Sequence, residues 1–313
     1  MAKRADIKVG YSCNNNCRHC VVADKRAQGD KTTEEYKRDL EDARKNNVEE
    51  VVITGGEPTI RRDFLELVRY AKKLGYKLIQ LQTNARMFYY KEFAKRTIEA
   101  GVNEFVPALH AHKPEIHDYI TRVPNSFNQT VQGIKNLREL GAPYIIVNTV
   151  VTNYNYRILP QMVKFFVELK VDQFQFAWVH PCGNAYKNFD DVVPRMCDTI
   201  PYIKKALDIA NKYNLWGTVE AVPFCLMKGY EKHILELYIP TIELREPNRY
   251  DPNFSYTRKI KGKVKGPECK ECRFYAICEG VWREYVEKRG FDEFKPVKGE
   301  RITNSEVLRK SYE

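Results

Sequence analysis

No stretch of the 313-residue chain is apolar for long enough to cross a bilayer as a helix, so a helical membrane span is excluded. The opening MAKRADIKVG has a basic start but no apolar core, so it is not a secretory leader and a cytoplasmic protein is expected. A disorder-type composition is missing too, because 43% of the residues are hydrophobic and a sizeable core can form. The formal charge of +11 comes from lysines and arginines scattered beside glutamates on helix faces. That pattern is a solvated surface rather than a nucleic-acid face. What the chain does have is cysteine: nine residues, six of them in two tight groups. In a reducing compartment, thiols at such spacings read as metal or redox ligands rather than disulfides.

The first two thirds alternate β-branched runs with amphipathic segments. DIKVGY, EEVVIT, KLIQLQT, NEFVPAL, YIIVNTVVT and DQFQFAWV read as strands, several of them apolar on both sides as buried parallel strands are. Helices with legible ends lie between them. Thr32 caps the first with Glu35 three residues on, and Asp63 starts the second, which stops at Gly75. Gly101 ends the third, Ser126 opens the fourth, and Pro160 sits in the first turn of the fifth. Six strand-helix units call for an α/β fold, a parallel sheet curled into a partial (β/α)6, TIM-like barrel. Working residues then collect on the loops after the strands, where SCNNNCRHC, GGEPT, TNA and HPCGNA all fall. Past about Trp216 the periodicity fades into Pro-, Lys- and Tyr-rich sequence. We expect the barrel over residues 1–215 and a small cysteine-rich module over 216–313, supported by a metal.

Cys13, Cys17 and Cys20 form C-x-x-x-C-x-x-C after the first strand. Three thiolates around a loop of turn-forming asparagines suit an iron-sulfur cluster. A structural zinc would want a fourth ligand, and His19, directly beside Cys20, is poorly placed to supply it.

Here the chain resembles the radical AdoMet (radical S-adenosylmethionine) superfamily, over residues 6 to about 215. The resemblance implies a 4Fe-4S cluster on Cys13, Cys17 and Cys20 with one open iron for S-adenosyl-L-methionine, and chemistry begun by a 5′-deoxyadenosyl radical. Gly55, Gly56, Glu57 and Pro58 match the superfamily's GGEP motif, which holds the methionyl amino group. By the residues alone, the glycines admit a ligand against bare backbone and the carboxylate favours an ammonium. His19 takes the place of a usual aromatic near the adenine. Thr83 and Asn84 match a TN motif at the AdoMet carboxylate, and Gly183, in P-x-G-x-A, matches the loop near the adenine. The stretch from Pro107 departs from the superfamily: Ala108 stands for a serine and His110 for an aspartate, so Asn148 is the candidate to replace a lost ribose contact. His110 and His112 read as surface or hydrogen-bonding groups, and His117 with Asp118 as residues fixing a loop. Cys182, sited at the barrel mouth, is a candidate hydrogen-atom donor to a substrate radical.

In the tail, Cys269, Cys272 and Cys278 form C-x-x-C-x-x-x-x-x-C, the spacing of superfamily members with a SPASM or twitch extension. The next cysteine of the full SPASM pattern is Trp282 here, so one auxiliary cluster is implied, with Cys225 as its fourth ligand. Structural zinc on the same four thiolates is the alternative. The expected function is hydrogen abstraction from a peptide or small cofactor precursor, with electrons from a low-potential donor such as ferredoxin or flavodoxin. An RNA-modifying member of the superfamily and a non-catalytic metal-binding protein are the other two classes.

Overall fold

The computed structural model describes residues 2–310. All six expected strands form: β1 (Arg4–Lys8), β2 (Glu50–Thr54), β3 (Leu78–Thr83), β4 (Glu104–Pro107), β5 (Ile146–Val151) and β6 (Gln173–Trp178). Neighbours in sequence are parallel neighbours in space. The β4–β5 seam is looser, held by bridges from Phe105 to Ile145 and from Ala108 to Asn148.

The sheet does not stop at residue 215. β7 (Trp216–Glu220) pairs parallel with β6, and β8 (Ile242–Glu246) pairs parallel with β1 on its free side. A short antiparallel β9 (Arg249–Asp251) finishes that edge. The expected boundary therefore falls at the first residue of a strand that belongs to the barrel sheet. WGTVE and IELRE lack an all-apolar run because one side of each faces charged groups rather than helices.

The helices α1 (Thr33–Lys45), α2 (Phe64–Lys73), α3 (Lys91–Ala100), α4 (Pro114–Thr121), α5 (Ser126–Glu139) and α6 (Leu159–Glu168) cover the convex face. Two single turns, α7 (Asn184–Lys187) and α8 (Phe189–Val192), lead to the long α9 (Met196–Lys212). α1 opens on the expected capping box: the Thr32 side chain accepts from the Glu35 N–H while the Glu35 carboxylate accepts from the Thr32 N–H. α2 starts at Asp63 as expected, but the Asp63 carboxylate makes no cap bond and is held instead by Arg61 and by the Thr33 hydroxyl. His117 and Asp118 lie on a further helix, α4, closed by Arg122 at φ +59°, and Asp118 fixes the loop before α5 as expected, accepting from the Asn125 and Phe127 N–H groups and the Ser126 hydroxyl.

Strand residues alternate between two environments, as the pleat requires. Ala5, Ile7, Val51, Ile53, Phe174 and Phe176 are fully buried beneath the helices. The alternate set is polar and bonds across the concave face, Thr54 with Gln82 at 2.9 Å and Gln175 with Glu220 at 2.7 Å. Asp6 of β1 and Glu220 of β7 interact electrostatically although five strands separate them, because the sheet curls round a polar lumen. The tail adds α10 (Phe254–Thr257) beside β8, a small hairpin of Lys263–Val264 on Val281–Trp282, and α11 (Arg283–Arg289), which packs on Trp178, Phe189 and Met196.

Candidate active site

The loop carrying Cys13, Cys17 and Cys20 is clamped from every neighbouring strand end. Asp30 accepts from the N–H groups of Tyr11 and Ser12 at 2.7 and 3.0 Å. From the β2 loop, the Gly56 N–H donates to Gly10 O and the Glu57 N–H to Ser12 O. A Cβ on Gly56 would stand 2.1 Å from the Ser12 carbonyl oxygen, so only glycine lets the two loops touch. The glycine pair thus admits the cysteine loop itself against bare backbone. After β3, Asn84 donates to Asn14 Oδ1, and Arg86 donates to Asn14 O and Asn15 Oδ1. Across the mouth, Arg26 holds Asn15 O at 2.6 Å.

The loop after β6 closes the clamp. Asn184 donates its backbone N–H to Cys20 O at 3.0 Å and its side-chain amide to Cys17 O at 2.9 Å. Gly183 has φ +56° and its missing Cβ would lie 2.5 Å from Cys20 O. Arg26, Asp30, Arg86 and Asn184 were not singled out in the sequence; only Asn184, inside HPCGNA, lay in a motif that could have flagged it.

Glu57 is not turned towards a ligand. Its carboxylate, 1% exposed, accepts from the N–H and hydroxyl of Thr59, the hydroxyl of Thr83 and the N–H of Asn84. Burial still holds its pKa above the ordinary carboxylate value. Glu57 and Thr83 together brace the β2 and β3 loops, and Pro58 is buried with them. Asn148 keeps a free acceptor: its Oδ1 is shielded from water and has no partner.

His19 is buried and meets His110 edge to face at 4.6 Å, and His110 stacks on His117 at 5.7 Å. Burial holds all three neutral, lowering His19 and His117 to about 4. His110 is therefore an interior group, with its ring beside the cysteine loop. Cys182 lines an open cavity at the mouth with Asp24, Tyr186, Lys187 and Glu284, and burial pushes its thiol up to about 12.

All nine cysteines are free thiols. The Asn15 N–H points at Cys13 Sγ at 3.3 Å, and burial raises Cys13 to about 11. Cys17 is raised further, by burial and then by Cys20 and Cys13. In the tail, Cys225, Cys269, Cys272 and Cys278 line one hollow, walled by Phe224, Phe274 and other apolar groups. Burial and the three neighbouring sulfurs push Cys225 up to about 12. Backbone N–H groups of Gly280 and Val297 point at Cys278 and Cys272. Thiols that repel one another as thiolates, and meet N–H donors, are a donor set suited to a cationic metal core. Among the described residues, the one group of three or more possible ligands whose donor atoms all lie within 4.8 Å of each other is Cys17, His19 and His110. Neither cysteine group is bunched that tightly, whereas sulfurs on one zinc ion sit about 3.8 Å apart for 2.3 Å bonds.

A parallel α/β barrel with three thiols on a braced loop at the carboxyl ends of its strands defines a barrel protein built around a mouth-facing cysteine centre. The family model of the Radical SAM superfamily matches residues 7–166, and the chain belongs to that superfamily. Membership implies a cysteine-bound 4Fe-4S cluster and AdoMet. A probable GTP 3′,8-cyclase of Saccharolobus solfataricus is 31% identical over 192 residues, 59% of this chain and 61% of the relative. A namesake from Sulfurisphaera tokodaii is 26% identical over 185 residues. The chain thus spans about three fifths of these relatives. Among solved structures, SuiB of Streptococcus suis bound to S-adenosylmethionine superposes with a TM-score of 0.71 at 19% identity, over 95% of this chain and 76% of SuiB. The structure anSMEcpe with bound AdoMet and Kp18Cys peptide gives 0.67 at 15% identity, over 98% and 95%. No helix of the described residues is long and apolar enough to cross a membrane.

Proposed function

We propose that Cys13, Cys17 and Cys20 hold a 4Fe-4S cluster whose open iron takes AdoMet across the barrel mouth, and that the substrate enters the polar lumen below. When bound, this pair supplies a 5′-deoxyadenosyl radical, which takes hydrogen from an unactivated C–H bond that side chains alone cannot attack. The chain's part is positional. Gly56, Glu57, Asn84, Arg86 and Asn184 fix the cysteine loop, the backbone of Gly55 and Gly56 faces the methionyl end, and Asn148 offers its free oxygen to the ribose. His19 and Gly183 border the adenine. Cys182 opens on the mouth as a neutral thiol, the form that can give up a hydrogen atom.

Cys225, Cys269, Cys272 and Cys278 are proposed to hold one auxiliary 4Fe-4S cluster. Their convergence on one hollow supports a shared centre, and the family's auxiliary clusters favour iron-sulfur over zinc there. The substrate is a peptide or small cofactor precursor, and a ferredoxin- or flavodoxin-type donor provides the electrons. The observation that carries this reading is the three-thiol loop braced from β2, β3 and β6 at one mouth. Anaerobic reconstitution tests it: about eight irons per chain and 5′-deoxyadenosine after dithionite reduction are expected. Absence of 5′-deoxyadenosine from fully loaded protein refutes it.

A further inference from the structure

The lumen wall where β1 and β7 approach carries more carboxylates than cations. Asp6, Glu220, Glu236 and Glu279 meet Arg258 and Lys263 there. Lys263 is bound at 2.8 Å to both Glu236 and Glu279, and Arg258 lies 2.9 Å from Glu279 and 3.6 Å from Glu220. The neighbouring lumen cations are equally committed, Arg4 to Glu50 and Lys8 to Glu246. Asp6 Oδ1 is nonetheless shielded from water and accepts no hydrogen bond. So is Oε2 of Glu236, whose side chain is only 7% exposed. Burial outweighs Arg4 and Lys8 and holds the Asp6 carboxyl up to about 6. A shielded oxygen without a donor is costly, although Arg258 Nε in the same network also lacks a partner.

We propose that Asp6, with Glu220 beside it, is a recognition site for an ammonium or guanidinium group of the substrate. This rests on the lumen being the substrate chamber. A charge-assisted bond to Asp6 supplies the missing donor and balances the surplus carboxylate.

The test is calorimetric titration of the reconstituted, AdoMet-loaded enzyme with four probes: acetyl-Gly-Lys-Gly-amide, its norleucine analogue, putrescine and GTP. The lysine peptide or putrescine is expected to bind, and the stronger of the two tells a peptide source from a small metabolite. Norleucine for lysine is expected to weaken binding at least tenfold, as are Asp6→Asn and Glu220→Gln against the preferred amine. Equal binding of the lysine and norleucine peptides overturns the proposal, as does failure of both amines to bind. GTP binding more tightly than either amine, undiminished in Asp6→Asn, overturns it as well. The norleucine comparison uses the unaltered enzyme, so it stands whatever the variants do to folding. 5′-Deoxyadenosine formation in the same preparation tests the underlying reading separately.

Discussion

Asp6→Asn is expected to make the free enzyme more stable while removing a substrate contact. The Asp6 carboxyl titrates near 6 in the folded protein against 3.8 when unfolded. Two pK units correspond to about 3 kcal/mol by which ionisation disfavours the folded state at neutral pH. Part of the residue faces lumen water, so about 1–3 kcal/mol is the fair range. The sign follows from proton binding. Below about pH 4 the group is neutral in both states and the variant gains nothing. Between about 4 and 6 the folded state holds the proton longer, so the native enzyme loses stability as pH rises while asparagine does not. Above about 7 the gap is full. Thermal unfolding of both proteins from pH 5 to 8 reads it as a melting-point difference that grows with pH to about 2–6 °C. A variant less stable than the parent at pH 7.5, or a gap that ignores pH, refutes the reasoning.

Glu57→Gln puts an amide donor against N–H and hydroxyl donors, so a loss of about 2–4 kcal/mol is expected, read as a lower melting point. Cys225→Ala is expected to halve the iron of reconstituted protein, from about eight to about four per chain, with 5′-deoxyadenosine formation retained on partial turnover assays; unchanged iron rules out the four-thiol assignment. Gly56→Ala forces a methyl into the Ser12 carbonyl, 2.1 Å from its ideal position, and is expected to abolish loading of the mouth cluster, seen as loss of its reduced-state electron paramagnetic resonance signal. A fragment ending at residue 215 loses β7 and β8, bares the edges of β6 and β1, and is expected to aggregate in size-exclusion chromatography.

The strands were legible where the side beneath the helices is apolar, as in EVVIT and QFQFAW, because that burial imposes Val, Ile and Phe regardless of what lies opposite. β7 and β8 were not, since Glu220 and Glu246 point into charged surroundings that only the assembled barrel creates. Cys13, Cys17 and Cys20 could be read from spacing because one short loop carries them. Bringing Cys225 to Cys269, Cys272 and Cys278 depends on folding, and the sequence offered it only as a candidate. The direction in which Glu57 turns is likewise set by Thr59, Thr83 and Asn84, groups on two different loops. Asp6 gave no signal at all, because a lone aspartate at the start of a strand ordinarily marks the solvent side.

His180, just past β6, lies flat on Trp282 of the tail at 3.8 Å, and Lys263 stands 5.0 Å over the same indole. Through Arg258, paired with Glu220 of β7, the tail also forms one side of the proposed substrate chamber. The two regions are therefore not exchangeable parts. Grafting this tail onto another barrel, or a foreign tail onto this one, would replace a wall of the chamber, so any change of substrate by recombination has to redesign that wall along with the thiol-lined hollow behind it.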